Sequence, residues 1–303
     1  MILLIGAATV GLILALLGLG VFLSYRIYVT LDLTADGSFL LGAAVAAALL
    51  ARGTPPTIAT VLALLAGSIA GGITGLLHTR FLISSLLAGV LVSTALYSVS
   101  LFAMGSGNLS LASAETLVTQ VERSGQRLLG LEPSLSLLIA AALLATAVAL
   151  GLTLFLKTDL GLAMRAAGSN PRMAKPLAIG VDGMVVFGVA LSNGLIGLSG
   201  ALYAQYQGFA DIQMGIAALV TGLANLMVGE ALVGRRSIGR WIAGAVIGAV
   251  VFRLLVALAI RAGLNPNALK LVTAVLVLAV LVLPQLVSRV RRLPSAEKAS
   301  SHV

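Results

Sequence analysis

The chain has 303 residues, of which 59% are hydrophobic and only 10% are charged. Ordinary soluble domains carry about 25% charged residues, so this composition excludes that class and predicts an integral membrane protein. The chain has no cysteine, which excludes disulfides, thiolate metal sites and cysteine nucleophiles. The net charge of +9 comes with only 5% aromatic residues, so it indicates membrane topology rather than nucleic-acid binding.

Long apolar runs recur along the chain at the length of about 20 residues that a bilayer core of ~30 Å requires, and runs this continuous favour helices over a barrel. Nine crossings are predicted, at residues 2–23, 39–51, 57–77, 81–103, 135–156, 184–206, 212–233, 241–261 and 268–288. The second is short, and we expect the polar stretch 32–38 to complete it. The predicted fold class is an all-α membrane protein, a polytopic helical bundle.

The distribution of the basic residues predicts the orientation of the chain in the membrane. With the N-terminus outside, thirteen Arg and Lys residues fall in the inner loops and only four in the outer loops. Cytoplasmic loops carry the excess of basic residues. The chain is therefore predicted to lie in a bacterial plasma membrane, with its N-terminus outside and its tail in the cytoplasm.

A weak internal repeat relates the two halves of the chain, because residues 11–20 resemble residues 194–202. Each stretch is followed by a polar break, at residues 32–37 and 207–215. Four helices, a linker helix and four more helices orient the two copies oppositely, which is the inverted-repeat plan of many transporters. The predicted organisation is repeat one at about 2–103, an external loop at 104–134, the linker helix at 135–156, a cytoplasmic coupling loop at 157–183, repeat two at about 184–288 and a cytoplasmic tail at 289–303.

Glycines recur at intervals of four in both halves, at Gly67, Gly71 and Gly75 and again at Gly244 and Gly248. Small residues at this spacing let helix backbones approach closely. We therefore expect these glycines to pack the bundle rather than to contact a solute.

One long hydrophilic island separates the fifth and sixth crossings. It contains six charged residues, Lys157, Asp159, Arg165, Arg172, Lys175 and Asp182. Thr158 or Asp159 is suited to cap a first short helix, and Gly168 suits a left-handed ending of that helix. Asn170 and Pro171 fit the cap and first residue of a second short helix. The island is therefore predicted to be a compact helix, turn, helix.

The spacing Thr158-Asp-Leu-Gly161-x-x-x-Arg165-Ala166-x-Gly168-x-Asn170-Pro171 resembles the cytoplasmic loop of ABC importer permeases of the branched-chain amino acid and ribose type. The resemblance continues through residues 191–202 and, in the first half, residues 32–39. Within that family, residues 205–215 are similar to a subgroup linked to uptake of aromatic amino acids such as tryptophan.

The resemblance implies that this loop sits in a groove of a separate ABC ATPase. The implied coupling residues are Asp159, Gly161, Arg165, Ala166, Gly168, Asn170 and Pro171. The alternative for the basic residues Arg165, Arg172 and Lys175 is that they only follow the positive-inside rule and meet lipid headgroups.

The chain has no phosphate-binding loop, so it is not expected to bind or hydrolyse ATP. Its two histidines, His78 and His302, leave metal clusters and acid/base pairs without partners, so no enzyme activity, cofactor or metal is expected. ATP and Mg²⁺ belong on the partner ATPase. The other implied partners are a second permease copy, most simply in a homodimer, and an extracytoplasmic solute-binding protein. The mixed charges of the external loop suit docking of that protein, and an ordinary solvated loop is the alternative.

Polar residues in or beside the crossings are candidates for the translocation path, because desolvating them is costly. These are Asp36, Asn193, Gln205, Asp211, Asn225 and Arg253. The alternative for Asp32, Asp36 and Asp211 is helix capping. Arg253 lies near the middle of a crossing, where an arginine costs about 2.5–3.5 kcal/mol, so we expect it to pair with Glu230 or Asp211.

The sequence thus predicts the membrane subunit of an ATP-driven importer that moves a small organic solute inward by alternating access. An amino acid is the favoured solute, and the subgroup resemblance points to an aromatic one. The alternatives are an importer of sugars or nucleosides and an ion-coupled secondary transporter or channel, since inverted repeats and broken helices also occur there.

Overall fold

A computed structural model of the chain describes residues 2–28, 31–177, 180–234 and 237–263, together with positions 275 and 278. These residues form eleven α-helices and two short strands: α1 (Ile2–Phe22), α2 (Thr34–Ala51), α3 (Pro56–Thr79), α4 (Ser85–Met104), β1 (Asn108–Ser110), α5 (Leu117–Leu129), α6 (Pro133–Phe155), α7 (Asp159–Ser169), α8 (Pro171–Ala174), α9 (Val181–Gln207), β2 (Phe209–Asp211), α10 (Ala218–Val233) and α11 (Ile238–Arg261). A π-helical turn, Leu23–Ile27, extends α1, and a 3₁₀ turn, Lys175–Leu177, follows α8.

The chain divides into two compact units, residues 1–254 and 255–303. Of the second unit, the described residues are the last turns of α11, the two residues that follow them, and the two isolated positions. All contacts discussed below belong to the first unit.

Seven of the helices are long and apolar enough to cross a membrane, so the all-α membrane fold is confirmed. They match the first six predicted crossings and the eighth. The seventh prediction, 212–233, is wrong at its start, because the chain forms β2 and then turns as far as Ala217 before α10 begins. The predicted crossing at 268–288 lies outside the described residues, apart from two isolated positions.

The second crossing is completed as expected by its polar stretch. The helix begins at Thr34, whose backbone N–H donates to the Asp32 Oδ1 at 2.9 Å. Asp32 is 2% exposed, so its carboxylate satisfies a backbone donor that would otherwise be buried without a partner. An aspartate thus allows a helix to start inside the bundle.

Helix α9 is the centre of the bundle and packs against α1, α2 and α3. A Cβ added at Gly42 of α2 would overlap the backbone of Gly197, and one added at Gly71 of α3 would overlap the carbonyl of Val189. Two α9 hydroxyls also donate to α1 carbonyls, Ser192 to Gly20 at 2.6 Å and Ser199 to Ile13 at 2.8 Å. The expectation that the spaced glycines pack helices is confirmed at α3, and α10 and α11 meet in the same way at Gly229 and Gly244.

The predicted external loop contains structure that its sequence did not reveal. Strand β1 pairs antiparallel with β2, with Asn108 opposite Asp211. Helix α5 then begins with a reciprocal capping box between Thr116 and Thr119. Gly125 of α5 lies against Ser136 of α6, so α5 is fixed to the bundle. We refer to this end of the bundle as the sheet end, and to the opposite end, where α7 and α8 lie, as the α7 end.

The adjacent residues Gly71 and Gly72 give a matched test of this packing. Gly71→Ala should lower the free energy of unfolding by about 1–3 kcal/mol, because the new methyl group overlaps α9. Gly72→Ala should be neutral, since the nearest atom to its Cβ is that of Ala190 at 3.9 Å. Denaturation of the purified protein in detergent measures both, and equal stability of the two variants would contradict the packing.

Candidate functional site

The α7 end carries the predicted helix, turn, helix. The Thr158 hydroxyl accepts a hydrogen bond from the Gly161 backbone N–H at 3.3 Å, so Thr158 rather than Asp159 caps α7. The Asn170 Oδ1 accepts from the Met173 N–H at 3.2 Å, and Pro171 is the first residue of α8. Both predicted helices are present, and a single residue, Asn170, separates them.

Gly168 does not end α7 in a left-handed conformation, and that prediction is wrong. The helix continues to Ser169, and Gly168 faces the end of α1, where a Cβ would overlap the carbonyl of Ile27. Gly161 is similarly close to the end of α6, where a Cβ would lie 2.5 Å from the Leu156 Cα. Both glycines are therefore required for close backbone approach, which seats α7 on the ends of α6 and α1.

Helix α7 has a buried face and an exposed face. Met164 and Ala167 are buried. Leu160 and Leu162 are 56% and 49% exposed, and Met173 of α8 is 67% exposed. Apolar side chains held outward on a rigid, capped element are suited to a protein partner.

Arg165 points from α7 toward an open pocket of about 390 Å³ whose wall also includes Arg26, Ala166 and Trp241. Arg165 is half-buried, and among the described residues no carboxylate lies within ion-pair distance of it. The pocket therefore presents an arginine that is positioned by its helix but not neutralised by the described part of the chain.

A second arginine of this pocket, Arg26, forms an ion pair with Glu230 near the end of α10. The Arg26 Nε donates to the Glu230 Oε1 at 2.6 Å, and a guanidinium N–H donates to the other carboxylate oxygen. The Glu230 side chain is 2% exposed and that of Arg26 is 20% exposed. The predicted partner of Glu230 was Arg253, and this is wrong. Arg26 and Glu230 are 204 residues apart, and in the sequence Arg26 indicates only the orientation of the chain. The pair could therefore not be predicted from the sequence.

The end of α1 is also tied to α9. The Tyr28 hydroxyl donates to the carbonyl of Met184, and the tyrosine ring lies over Gly188, where a Cβ would overlap it. Burial raises the pKa of Tyr28, so the phenol stays neutral. The end of α1 therefore contacts α7, α9 and α10 within a few residues.

The two predicted polar breaks meet inside the bundle. The Asp36 Oδ1, in the first turn of α2, accepts from the Leu219 N–H at the start of α10, at 2.8 Å. The residue before α10, Ala217, has a positive φ of 65° and no side chain able to cap. Gly215 lies so close to the Asp36 carbonyl that a Cβ would overlap it. An aspartate from the first half of the chain thus caps a helix of the second half.

Asp32 and Asn193 form a second polar contact next to this junction. The Asn193 Nδ2 donates to the Asp32 Oδ2 at 2.6 Å, and both residues are buried. On the other side of Asp36, an open cavity of about 200 Å³ is lined by Asp36, Ser93, Tyr97 and Ile216, among others. The junction thus combines a broken pair of helices, two carboxylates and a cavity.

The remaining path candidates are placed elsewhere and do not join this cluster. The Gln205 side chain donates to the Thr60 hydroxyl at 2.9 Å and accepts from the Leu117 N–H at 2.9 Å, which ties α9 to α5. Asp211 lies in β2 and accepts from the Asn108 amide at 3.2 Å. The Asn225 amide donates to the Leu14 carbonyl at 3.2 Å, so it joins α10 to α1.

A bundle of apolar helices, broken in both halves at facing polar junctions, defines a multi-pass membrane permease. The chain belongs to the family described as branched-chain amino acid transport system, permease component, whose family model matches residues 3–282. The protein is therefore a permease component of a transport system, and the matched family is not a catalytic one.

Two individual proteins are similar to the chain over most of their length. The chain is 36% identical over 277 residues to a tyrosine transport system permease protein of Clostridioides difficile, with 91% of this chain and 90% of the relative covered. It is 31% identical over 278 residues to an uncharacterized protein of Rickettsia prowazekii, with 90% and 94% covered. No solved structure matches the chain. The predicted family, with its aromatic-linked subgroup, is confirmed by the family match and the first relative.

A double-mutant cycle tests the ion pair at the α7 end. Glu230→Gln and Arg26→Gln should each lower the free energy of unfolding by about 1.5–3 kcal/mol, the range for hydrogen bonds to charged groups. Their effects should be strongly non-additive, because each variant removes the same contact. In the matched control, Glu230→Gln and Arg253→Gln should add within about 0.5 kcal/mol. Coupling of Glu230 to Arg253 rather than to Arg26 would refute the assignment.

Proposed function

We propose that the protein is the membrane subunit of an ABC importer, with ATP hydrolysis on a separate partner subunit. The observation that supports this is the construction of the α7 end. Two capped helices are fixed to the bundle by close contacts at Gly161 and Gly168, and they hold Leu160, Leu162 and Met173 outward. A floppy loop would not transmit force, whereas this element moves with the ends of α1 and α6.

The implied coupling residues divide into two roles in this proposal. Gly161, Gly168, Asn170 and Pro171 shape the element, while Arg165 meets the ATPase at the rim of the open pocket. Ala166 shares that rim, and Asp159 adds a negative charge to the first turn of α7, where the helix dipole favours it. The ATPase then binds ATP and Mg²⁺, and its closure moves the α7 end.

The carboxylates of Asp32, Asp36 and Glu230 favour this proposal over an ion-coupled transporter. Asp32 accepts from Thr34 and Asn193, Asp36 accepts from Leu219, and Glu230 pairs with Arg26. Each carboxylate is occupied by groups of the protein, whereas an ion-coupled carrier needs a carboxylate that binds and releases a proton or sodium. The α7 end is proposed to face the cytoplasm, because Arg26, Lys157, Arg165, Arg172 and Lys175 all belong to it.

The proposed solute is tyrosine or a similar amino acid, because the C. difficile relative is named as a tyrosine permease. The proposed assembly contains two permease copies, since one α7 element engages one ATPase. A homodimer is the simplest form, and it would work with an extracytoplasmic solute-binding protein. The proposed site of action is the bacterial plasma membrane, with the N-terminus outside and the C-terminus in the cytoplasm.

Affinity purification from native membranes in mild detergent tests the ATPase partner. The wild-type permease should retain an untagged ABC ATPase, and the assembly in proteoliposomes should take up L-tyrosine only with ATP. Arg165→Glu should abolish both, because it reverses the charge at the proposed contact. Arg80→Glu, an exposed residue at the end of α3, is the matched control and should change neither. Uptake that follows an ion gradient without ATP would refute the proposal.

The α5 helix is the proposed docking element for the binding protein. It is fixed to α6 at Gly125 and to α9 through Gln205. It exposes Arg127 and Arg123, and Arg123 forms an ion pair with the exposed Glu115. Exposed charges of this kind steer and register a partner, and their effect weakens with salt.

Changing both arginines to Gln should therefore raise the concentration of binding protein needed for half-maximal ATPase stimulation by about tenfold at low salt. Basal ATP hydrolysis should not change, because the coupling element lies at the other end. Arg52→Gln, exposed between α2 and α3, serves as the control. The docking assignment fails if the double variant responds to the binding protein as the wild type does.

A further inference from the structure

Arg253 is the one cation among the residues predicted to line the translocation path. No ion pair of the described residues includes it. It lies in α11, eight residues before Arg261 at the helix end, or about 12 Å along the helix axis. Its Nε is buried without a hydrogen-bond partner, and no carboxylate of the described residues lies within ion-pair distance of it. Of its two predicted partners, Glu230 pairs with Arg26 and Asp211 accepts from the Asn108 amide.

The surroundings of Arg253 show that it faces the interior of the bundle. Tyr203, on the central helix α9, places its hydroxyl beside the guanidinium. The same hydroxyl accepts from the Gln207 Nε2 at 2.7 Å, and Gln207 is exposed at the end of α9. Polar groups thus follow one another from the sheet end of the bundle to Arg253.

The cluster of Arg253, Tyr203 and Gln207 has more hydrogen-bond donors than acceptors. A guanidinium offers five N–H donors and no acceptor, and the acceptor beside it among the described residues is the Tyr203 hydroxyl, which already accepts from Gln207. The cluster therefore has a surplus of donors and of positive charge. Because a charge held inside the bundle without a counter-charge is costly, and the described residues supply none, an anion that accepts several hydrogen bonds would complete the cluster.

An aromatic surface adjoins the cluster. The rings of Tyr203 and Phe39 lie 5.8 Å apart at an angle of 49°, and Phe39 lies three residues after Asp36 on α2. A guanidinium beside aromatic rings is suited to a carboxylate attached to an apolar body, since the fork of the guanidinium matches a carboxylate. A lipid phosphate offers similar oxygens, but it would have to reach a side chain that is directed at the central helix.

We propose that Arg253, beside Tyr203, binds the carboxylate of the transported solute on its way through the permease. This inference rests on the proposed import of an amino acid, and it specifies which part of the solute the chain recognises. Gln207 and Tyr203 provide the polar approach to the arginine from the sheet end. The solute would be handed from Arg253 toward the junction at Asp36, one turn of α2 from Phe39.

The test uses the purified permease in nanodiscs without ATPase or binding protein, so that it is independent of coupling. Displaceable binding of radiolabelled L-tyrosine, L-tryptophan and L-leucine is measured with each unlabelled amino acid and with its decarboxylated amine as competitors. At least one amino acid should displace its label at least tenfold better than the amine does. Arg253→Gln should remove that difference, and Arg253→Lys should retain part of it.

Arg261→Gln, an exposed arginine in the last turn of the same helix, is the matched control and should bind as the wild type does. Equal thermal stability of the variants would show that the loss is not unfolding. Equal displacement by acid and amine, no displaceable binding by the wild type, or unchanged binding by Arg253→Gln would each overturn the assignment. Loss of a copurified phospholipid from Arg253→Gln with unchanged amino acid binding would assign the arginine to lipid instead. If carboxylate-dependent binding persists while no ATPase copurifies, only the proposed ABC mechanism fails.

Discussion

The structure depends on one constraint, which is that a helix cannot start inside a bilayer unless its first backbone N–H groups find acceptors within the protein. This chain starts two helices within the bundle and supplies an aspartate for each. Asp32 accepts from the first residue of α2, and Asp36 accepts from the start of α10. The second contact joins the two halves of the chain. If the two halves move relative to each other, the hydrogen bond that caps α10 must therefore break, be replaced by another, or move together with Asp36.

The sequence predicted the helical fold well because apolar runs of bilayer length are a strong signal, and seven long helices lie where such runs predicted them. It failed where local and long-range signals compete. The seventh crossing was predicted to start at residue 212, but α10 starts at Ala218. Strand β2 pairs just before this point with β1, about 100 residues away, and turns follow it. Helix α5 was missed because its charged residues made it look like an ordinary loop.

The candidate site shows the same division between local and distant information. Capping by Thr158 and Asn170 was predictable, because a cap needs only the next three residues. The role of Gly168 was not predictable, because a left-handed helix end and a close backbone approach both favour glycine. The sequence could not distinguish a helix end at Gly168 from its contact with Ile27. The partners of Glu230 and Asp36 lie 204 and 183 residues away, and a single sequence has no local pattern for such pairs. Buried polar contacts between distant helices are therefore what the structure adds.

These distant contacts converge on α9, and this gives the permease a physical connection between its two ends. At the sheet end, Gln205 accepts from the first backbone N–H of α5, and at the α7 end the Met184 carbonyl accepts from Tyr28. Between them, Asn193 holds Asp32, so the same helix contacts the broken start of α2. Close glycine packing leaves α9 little freedom to slide against α2 and α3, because backbone atoms rather than flexible side chains form the contact. A displacement of either end is therefore expected to reach the junction at Asp36 as movement of a rigid group of helices. The start of α10 is joined to Asp36 by hydrogen bonding to a side chain, which breaks more easily than backbone packing, so the group can part from α10 there.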